Sequence, residues 1–343
     1  MSGQNRELVP AQPDPSVEVS VIVPARDAAA TLGDALASLA LQGIELDALE
    51  AIVVDDGSRD ATAQAVAAAS SLLPRLTMLR HDVPRGPAAA RNTGLAAAHG
   101  RLVTFLDADD WLGPGHLARL VSGLDAIGAS FVKCDHVLAE GQRRELRRAP
   151  ETRRYQRLDP RESIAPAGVA TMVDYPNLPT GMYSRGLLEA GLLWLTETIA
   201  TAEDRAWTWR LHLEAPSYAV VDSAGMFYRR GNPRSLTGAF DQRRLGYLDA
   251  ARYVAALLDR DPDGERFLPK LVDQTLALTG FHWLRRRQMG GDLRRRFVAE
   301  AAGVLGDLPA EVVAERFAAL PRYRAQLLAP VRRAYRRRLR WRA

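Results

Sequence analysis

Short apolar runs alternate with longer stretches of helical periodicity through about the first 135 residues. Short apolar runs bounded by turn residues are typical of buried strands. We therefore predict strands at residues 17–23, 51–54, 76–79, 102–106 and 129–134. Helices are predicted at about residues 31–41, 60–72 and 114–127, and a loop that leads into a helix at residues 86–99. This alternation predicts an α/β fold with a mostly parallel sheet wound by helices, and a site at the carboxyl edge of that sheet.

The pattern changes after about residue 140. Arg and Glu dominate residues 140–165, which predicts an exposed excursion or a β-hairpin. Strands are predicted at residues 218–221 and 226–229, and a helical bundle at about 242–320 with breaks at Pro262, Pro269, Gly290-Gly291 and Pro309. These patterns divide the chain into four segments: a disordered leader (1–16), an α/β domain (17–240), a helical C-terminal domain (241–321) and a basic Arg-rich tail (322–343).

Composition narrows the class of protein. The formal net charge of the 343 residues is +5, and Lys133 and Lys270 are the only lysines, so arginine carries the basic charge. The single cysteine, Cys134, excludes an intramolecular disulfide framework and a cysteine-based zinc site. No run reaches the 18 or so apolar residues of a membrane span, and residues 1–16 have no apolar signal core. We expect a cytoplasmic protein.

An acidic motif, Asp107-Ala108-Asp109-Asp110, comes directly after the apolar run at 102–106. Two carboxylates spaced two residues apart at a strand end can bracket a hard divalent cation, Mn²⁺ or Mg²⁺, that also binds substrate phosphates. The alternative is a solvated turn with a helix cap.

A second acidic motif, Asp55-Asp56-Gly57-Ser58, ends the run at 51–54. A carboxylate at this place can accept hydrogen bonds from a nucleobase or a ribose, and Gly57 permits close backbone approach. The alternative is an ordinary strand-to-helix turn in which Ser58 or Asp60 caps the next helix.

Three further segments carry candidate chemistry. Residues 86–94 form a loop and helix start suited to an anion, with Arg91 able to reach a carboxylate or phosphate, or simply ion-paired. Glu203-Asp204 offers a general base, although Thr201-x-x-Asp204 also resembles a capping box. Residues 228–237 form a basic loop that could close on a diphosphate, with Arg229 and Ser235 as donors, or stay solvated.

The order of these features over about residues 17–240 resembles the family 2 glycosyltransferases of the GT-A fold. The resemblance implies an inverting, non-processive, metal-dependent transferase that uses a nucleotide-diphosphate-sugar donor, expected to be a UDP-sugar, and a hydroxyl acceptor. A basic tail that lies on a membrane would place the enzyme near a cell-envelope polysaccharide or glycolipid acceptor. It implies that Asp204 is the catalytic base with Glu203 beside it, and that Asp109 holds Mn²⁺ or Mg²⁺ on the diphosphate.

The same resemblance implies a set of donor-binding residues. Asp56 is expected to bind the nucleoside with Asp55 next to it, and Asp107 to lie near the ribose. The remaining members of the expected donor site contact the base or the diphosphate: Pro24, Ala25, Arg91, Arg229 and Ser235. The chain departs from the family where Arg26-Asp27 replaces the usual aromatic residue and Asn, which weakens the basis for choosing uridine.

Two other functions stay open from the sequence. One is a non-catalytic sugar-nucleotide-binding scaffold, and the other is a nucleotidyltransferase, although Pro24-Ala25-Arg26-Asp27 lacks the glycines that such an enzyme needs after its first strand. The basic tail predicts either a helix lying on an anionic membrane or a solvated or docked segment. Nucleic-acid binding is not expected, because no aromatic stacking platform accompanies the arginines.

Overall fold

The computed structural model describes residues 9–231 and 241–342. These residues form two compact units. The first, called the sheet unit, lies within residues 1–160, 177–197 and 213–232. The second, called the helical unit, lies within residues 161–176, 198–212 and 233–343. The predicted boundary at residue 240 is therefore too simple, because two segments before it belong to the helical unit.

One half of the sheet is parallel. Its strands are β1 (Val19–Ala25), β2 (Leu49–Asp55), β3 (Arg75–Arg80) and β4 (Leu102–Phe105), in the order β3-β2-β1-β4. The helices between them are α1 (Leu32–Leu39), α2 (Thr62–Ala69) and α3 (Pro87–Ala96). The alternation of apolar runs and helical periodicity predicted all seven elements, and the α/β fold class is confirmed.

The other half of the sheet is mixed. It contains β5 (Trp111–Leu112), β6 (Phe131–Glu140), β7 (Arg143–Arg147), β8 (Gly181–Ser184) and β9 (Tyr218–Arg229), with helices α4 (His116–Ile127) and α5 (Arg185–Glu189). The order continues β4-β8-β6-β9-β5, and β7 pairs with β6 as a hairpin. Strand β8 runs antiparallel to β4 and β6, whereas β6 and β9 are parallel. The expected exposed excursion thus includes the β6–β7 hairpin, and the two predicted strands at 218–221 and 226–229 are one continuous strand.

The core of the sheet unit lies between the strands and α1 to α4. Val19, Val21 and Val23 of β1 are buried against an apolar face of α1. Gly94 explains how closely α3 approaches the sheet, because a Cβ at this position would lie 2.4 Å from Ile22 Cγ2. Only glycine permits this contact between helix and strand.

The helical unit contains α6 (Glu203–Glu214), whose last two residues belong to the sheet unit, and then α7 (Gly246–Leu258) and α8 (Gly264–Leu284). It continues with α9 (Gly291–Gly306), α10 (Ala310–Ala318), α11 (Arg322–Leu327) and α12 (Ala329–Arg342). The predicted break at Pro269 is wrong. Pro269 is the sixth residue of α8, and the helix continues through it although one backbone hydrogen bond is missing there.

The structure differs from the sequence prediction near both ends of the described residues. Residues 9–16 are not a disordered leader: the Ala11 N–H donates to the carbonyl of Ala96, and Asp14 pairs with Arg75 at 3.0 Å. The predicted tail is not a separate segment either. Val331 and Tyr335 of α12 are buried, and Arg338 packs on Gly306 of α9. Throughout residues 9–231 and 241–342, no helix is both long and apolar enough to cross a bilayer.

Candidate active site

The carboxyl ends of the parallel strands place the two acidic motifs at one edge of the sheet. Ala25 of β1 lies opposite Asp55 of β2, and Ile22 lies opposite Phe105 of β4. The segments after Asp55 and Phe105 therefore leave the same edge on either side of β1. Open α/β sheets bind ligands at this edge.

Asp55 organises the turn after β2. Its carboxylate is fully buried, Oδ1 accepts a hydrogen bond from the Ser58 N–H at 2.8 Å, and Oδ2 pairs with the Arg80 guanidinium at 3.1 Å. A buried carboxylate with these partners shapes the turn. The expectation that Asp55 contacts a donor does not agree with this burial.

Asp56 connects the same turn to the loop before α3. Its Oδ1 accepts from the Arg85 N–H at 2.7 Å and lies 2.7 Å from His81 Nδ1, while Oδ2 accepts from the Gly86 N–H at 2.8 Å. The Nε2 atom of His81 lies 2.9 Å from Thr93 Oγ1. Asp56 thus holds residues 85–86 at the start of α3. His81 was not predicted from the sequence, although a histidine directly after a predicted strand end was visible as a signal.

The loop after β1 is joined to the turn after β2. The carbonyl of Ala25 accepts from the Asp56 N–H, and the Asp27 N–H donates to Ser58 Oγ at 2.9 Å. Asp27 has φ 49°, and its Oδ1 accepts from the Arg59 N–H at 2.8 Å. Aspartate tolerates this left-handed conformation better than most residues, and the bonds to residues 58 and 59 hold it there. Pro24 and Ala25 lead directly into this loop.

Arg91 on α3 bonds to the Asp-x-Asp motif. Its guanidinium donates to Asp107 Oδ1 at 2.6 Å, and the arginine is buried whereas the Asp107 side chain is 30% exposed. The Asp110 N–H donates to the Asp107 carbonyl at 3.0 Å, which closes the turn. Arg91 therefore reaches a carboxylate, one of the two partners that the sequence predicted for it.

Asp110 lies beneath this turn. It is fully buried, and its Oδ1 accepts from the Arg229 N–H at 2.8 Å. Its Oδ2 has no hydrogen-bond partner among the described residues. Burial, and after it the neighbouring charge of Asp107, raises the pKa of Asp110 well above its ordinary value. Asp110 is consequently a structural member of the motif.

Arg229 at the end of β9 covers the other side of the motif. Its Nε donates to the Asp109 carbonyl at 2.8 Å, and its guanidinium donates to Asp34 Oδ2 at 3.0 Å. The same guanidinium lies 4.8 Å from the centre of the Trp111 ring, which stacks on Phe227. Trp111 and Asp34 are site residues that were not predicted from the sequence. Ser235 lies outside the described residues.

The carboxylates at this edge of the sheet could supply some of the ligands of a divalent cation, but not a complete set. Among the described residues, no group of three or more His, Cys, Asp and Glu side chains is arranged to hold a metal ion. Mg²⁺ sites that serve nucleotides, however, need one or two carboxylates, with substrate phosphates and water completing the shell. Asp107 and Asp109 supply hard oxygen ligands of this kind. They fit a metal that is bound together with a diphosphate.

Glu203 and Asp204 begin α6 in the helical unit, whereas the residues above belong to the sheet unit. Glu203 is buried, and Asp204 Oδ1 accepts from the Arg205 N–H at 2.8 Å. The Thr201 hydroxyl donates to the Arg243 carbonyl, and α6 begins at Glu203. Ala202 has φ 66°, and a Cβ on Gly246 would lie 2.5 Å from the Thr201 carbonyl. The turn before Asp204 is therefore strained and tightly packed.

Comparison with known proteins gives a consistent result. The family model described as "Glycosyl transferase family 2" matches residues 20–187. The succinoglycan biosynthesis protein ExoU of Rhizobium meliloti (strain 1021) is 32% identical over 254 residues, which cover 72% of each chain. The poly(ribitol-phosphate) beta-N-acetylglucosaminyltransferase TarS of Staphylococcus aureus (strain Mu50) is 26% identical over 214 residues. That match covers 62% of this chain and 35% of TarS.

Two solved structures share the fold. S. aureus TarS 1-349 in complex with UDP-GlcNAc matches with a TM-score of 0.72 and 20% identity, covering 93% of this chain and 90% of that one. The mannosyltransferase PcManGT from Pyrobaculum calidifontis, in complex with GDP-Man and Mn²⁺, matches with a TM-score of 0.54 and 20% identity. That match covers 95% of this chain and 89% of PcManGT. At these identities the structures bear on the fold alone.

Proposed function

The chain belongs to glycosyl transferase family 2, and from this premise we propose that it transfers a sugar, with inversion, from a UDP-sugar to a hydroxyl of a cell-envelope polysaccharide or glycolipid. One observation carries the proposal. Arg91 from α3 and Arg229 from β9 both bond to the segment 107–110, so two cations and an Asp-x-Asp pair share the carboxyl edge of the sheet. This combination suits a diphosphate.

The donor class is supported by two kinds of observation. The solved relatives were obtained with UDP-GlcNAc and with GDP-Man, so this fold holds nucleotide-diphosphate-sugars in both. Within this chain, the loop 26–28 and the turn 56–58 are held together beside β1, where a nucleoside would lie. TarS has the higher TM-score of the two structures, so we propose UDP as the nucleotide of the donor.

Asp109, with Asp107 beside it, would hold Mn²⁺ or Mg²⁺. When bound, such an ion offsets the negative charge of the diphosphate leaving group. Arg91 orients the Asp107 carboxylate through its hydrogen bond at 2.6 Å. Arg229 is oriented by Asp34 and Trp111, and its cationic group adds to the positive potential at the motif. These residues prepare the site for the charge that develops on the leaving diphosphate.

Asp204 is the proposed general base, with Glu203 beside it. The carboxylate takes the proton of the acceptor hydroxyl as its oxygen attacks the anomeric carbon. The bond between that carbon and the diphosphate oxygen breaks in the same displacement, which inverts the anomeric centre. The strained turn at Ala202 supports a functional role for the start of α6.

The acceptor class rests on the printed activities of relatives. ExoU is named for succinoglycan biosynthesis, and TarS is named as a poly(ribitol-phosphate) beta-N-acetylglucosaminyltransferase. We propose an acceptor of the same broad kind, a hydroxyl on a cell-envelope carbohydrate.

The test is turnover of a panel of nucleotide-sugars with Mn²⁺ in wild type and three variants. Asp109→Ala and Asp204→Asn are each expected to lower turnover by about a hundredfold or more, because each removes charge that acts on the reacting groups. Asp47→Asn, an exposed carboxylate of the sheet unit, is the matched control and should retain activity. Unchanged turnover in both site variants would refute the assigned site.

A second measurement separates the alternatives. A donor stabilises the native state by mass action, so a thermal-shift screen identifies a nucleotide-sugar independently of turnover. Stabilisation without turnover would favour the non-catalytic scaffold. Release of pyrophosphate from a nucleoside triphosphate and a sugar phosphate would favour the nucleotidyltransferase instead.

A further inference from the structure

Three of the large apolar side chains that the structure leaves exposed lie on two adjoining helices of the helical unit. Phe281 and Leu284 near the end of α8 are 48% and 65% exposed, and Tyr323 on α11 is 64% exposed. The other exposed large apolar residues among the described ones are scattered: Val9, Leu41, Leu46, Leu72, Met78, Val83, Leu146, Tyr155 and Val169. We call Phe281, Leu284, Tyr323 and the arginines around them the apolar-arginine patch.

The two helices meet at this patch. A Cβ on Gly280 of α8 would lie 3.7 Å from Leu327 Cδ2 of α11, which is ordinary van der Waals contact. Tyr323 precedes Leu327 by four residues, so it lies one turn away on the same face of α11. Phe281 is the next residue after Gly280. The contact between α8 and α11 therefore lies within about one helical turn of Phe281, Leu284 and Tyr323 along their own helices.

Arginines surround the apolar side chains. The Arg285 guanidinium lies 4.4 Å from the centre of the Phe281 ring, and that of Arg324 lies 5.7 Å from the Tyr323 ring. Residues 281–291 and 316–343 contain no Asp or Glu. The pKa of His282 is consistent with this positive charge. Burial is the main cause that lowers it to about 4, and the nearby charges of Arg244, Arg285 and Arg205 lower it further. The surface is both apolar and positively charged.

Helix α12, which makes up most of the basic tail, buries its apolar residues to a larger extent. The tail residues Leu328, Val331 and Tyr335 are buried, and Tyr335 lies 6.0 Å from the Phe317 ring of α10. This part of the apolar face that the sequence assigned to membrane contact is therefore used for packing. Tyr323 on α11 also belongs to the tail, and it stays exposed.

We propose that the apolar-arginine patch docks the enzyme on an anionic lipid surface. Charge complementarity selects the occupant: Phe281, Leu284 and Tyr323 suit the interfacial region of a bilayer, and Arg285, Arg287 and Arg324 suit acidic headgroups. A second copy of this chain would present the same cationic surface and would be repelled. The proposal goes beyond the transfer reaction and does not depend on it.

The test is co-sedimentation of the full chain with two vesicle preparations, one of phosphatidylcholine alone and one that also contains phosphatidylglycerol. Wild type should bind only the anionic vesicles. A double variant, Arg285→Gln with Arg287→Gln, should bind them roughly 25-fold more weakly, since each arginine near an anionic surface contributes a factor of about five. Leu284→Gln should also weaken binding, by a factor that stays similar at high salt, whereas the loss in the double arginine variant should shrink there because the electrostatic part is screened.

The control variants carry the same types of substitution at exposed positions outside the patch. Arg143→Gln on β7 removes an exposed charge, and Leu41→Gln removes a similarly exposed leucine, so both should bind like wild type. All variants should hydrolyse a soluble donor as wild type does without vesicles, which keeps this test separate from the proposed activity. Absent binding to anionic vesicles, or equal losses in patch and control variants, would overturn the proposal. Self-association that Leu284→Gln abolishes would assign the patch to a second copy and overturn it too.

Discussion

The backbone N–H of Arg229 donates to Asp110 Oδ1 at 2.8 Å, across 119 positions of sequence. This bond attaches the end of β9 to the turn that carries Asp107 and Asp109. The Arg229 side chain also donates a hydrogen bond to the Asp109 carbonyl, so both the backbone and the side chain of this residue hold the motif. The acidic turn is thus pre-organised by the second half of the sheet.

Arg229→Lys should raise the KM for the donor by roughly tenfold, because losing hydrogen bonds to charged groups costs about 1.5–3 kcal/mol and a tenfold change is about 1.4 kcal/mol. Lysine keeps the charge but cannot bond Asp109 and Asp34 together in the planar geometry of arginine. Steady-state kinetics with the best donor measure this. Arg143→Lys on β7 is the control, and a KM that is unchanged for Arg229→Lys would contradict the assigned role.

Chelation with EDTA should lower turnover by roughly a hundredfold or more, because a bound cation supplies several kcal/mol of charge stabilisation. The melting temperature without donor should stay unchanged, since the described residues offer fewer than three ligands and the ion needs the diphosphate. The thermal shift caused by donor should disappear with EDTA and return with Mn²⁺. A lower melting temperature on chelation without donor would instead indicate a structural metal.

Gly246→Ala should lower both stability and kcat. Its Cβ would lie 2.5 Å from the Thr201 carbonyl and hydroxyl, so the turn before Asp204 must shift, at a cost of about 1–3 kcal/mol. Thermal unfolding and kcat are measured together. Gly33→Ala on α1 is the control, because a Cβ there meets nothing within 4 Å. If the two variants had the same melting temperature and kcat, the prediction would be wrong, because the turn at residues 201–202 could then shift without cost.

Stability should fall as the pH drops from about 6.5 towards 4. Burial is the main cause that lowers the pKa of His116 to about 3, and those of His136 and His282 to about 4. Unfolding restores pKa values near 6.5, so below that pH the unfolded chain binds more protons than the folded chain. The associated stability is complete above pH 6.5 and declines by up to about 1.4 kcal/mol per pH unit for each histidine.

Melting temperatures across this pH range test the expectation. His116→Gln removes one of the three protonation sites and should make the decline shallower. Asp14 and Glu151, whose pKa values are lowered to about 2, lose their contribution only below about pH 4.5. Asp110, whose pKa is raised by burial, binds a proton more readily in the folded chain and opposes the decline by the slope of one group, which the three histidines outweigh. A melting temperature that is flat between pH 6.5 and 4.5 would contradict it.

Local pattern by itself determined the elements of the parallel half of the sheet and the position of its acidic motifs. Apolar runs that end in Asp55-Asp56 and in Asp107-Ala108-Asp109-Asp110 specify both a buried strand and the acidic turn at its carboxyl end. Because the carboxyl ends of parallel strands share one edge, the two motifs had to lie close together. Strand type and edge position depend on near neighbours in sequence, so they can be predicted without the fold.

Only the tertiary structure decided how the individual carboxylates are used. Asp55 and Asp56 occupy adjacent positions, yet one is buried against Arg80 and the other holds the loop at residues 85–86. The antiparallel insertion of β8, the bond from Arg229 to Asp110 and the burial of Tyr335 in α12 all join segments far apart in the chain. Such contacts depend on strand register and helix packing, which minimise the free energy of the whole chain and leave no signature in any local pattern.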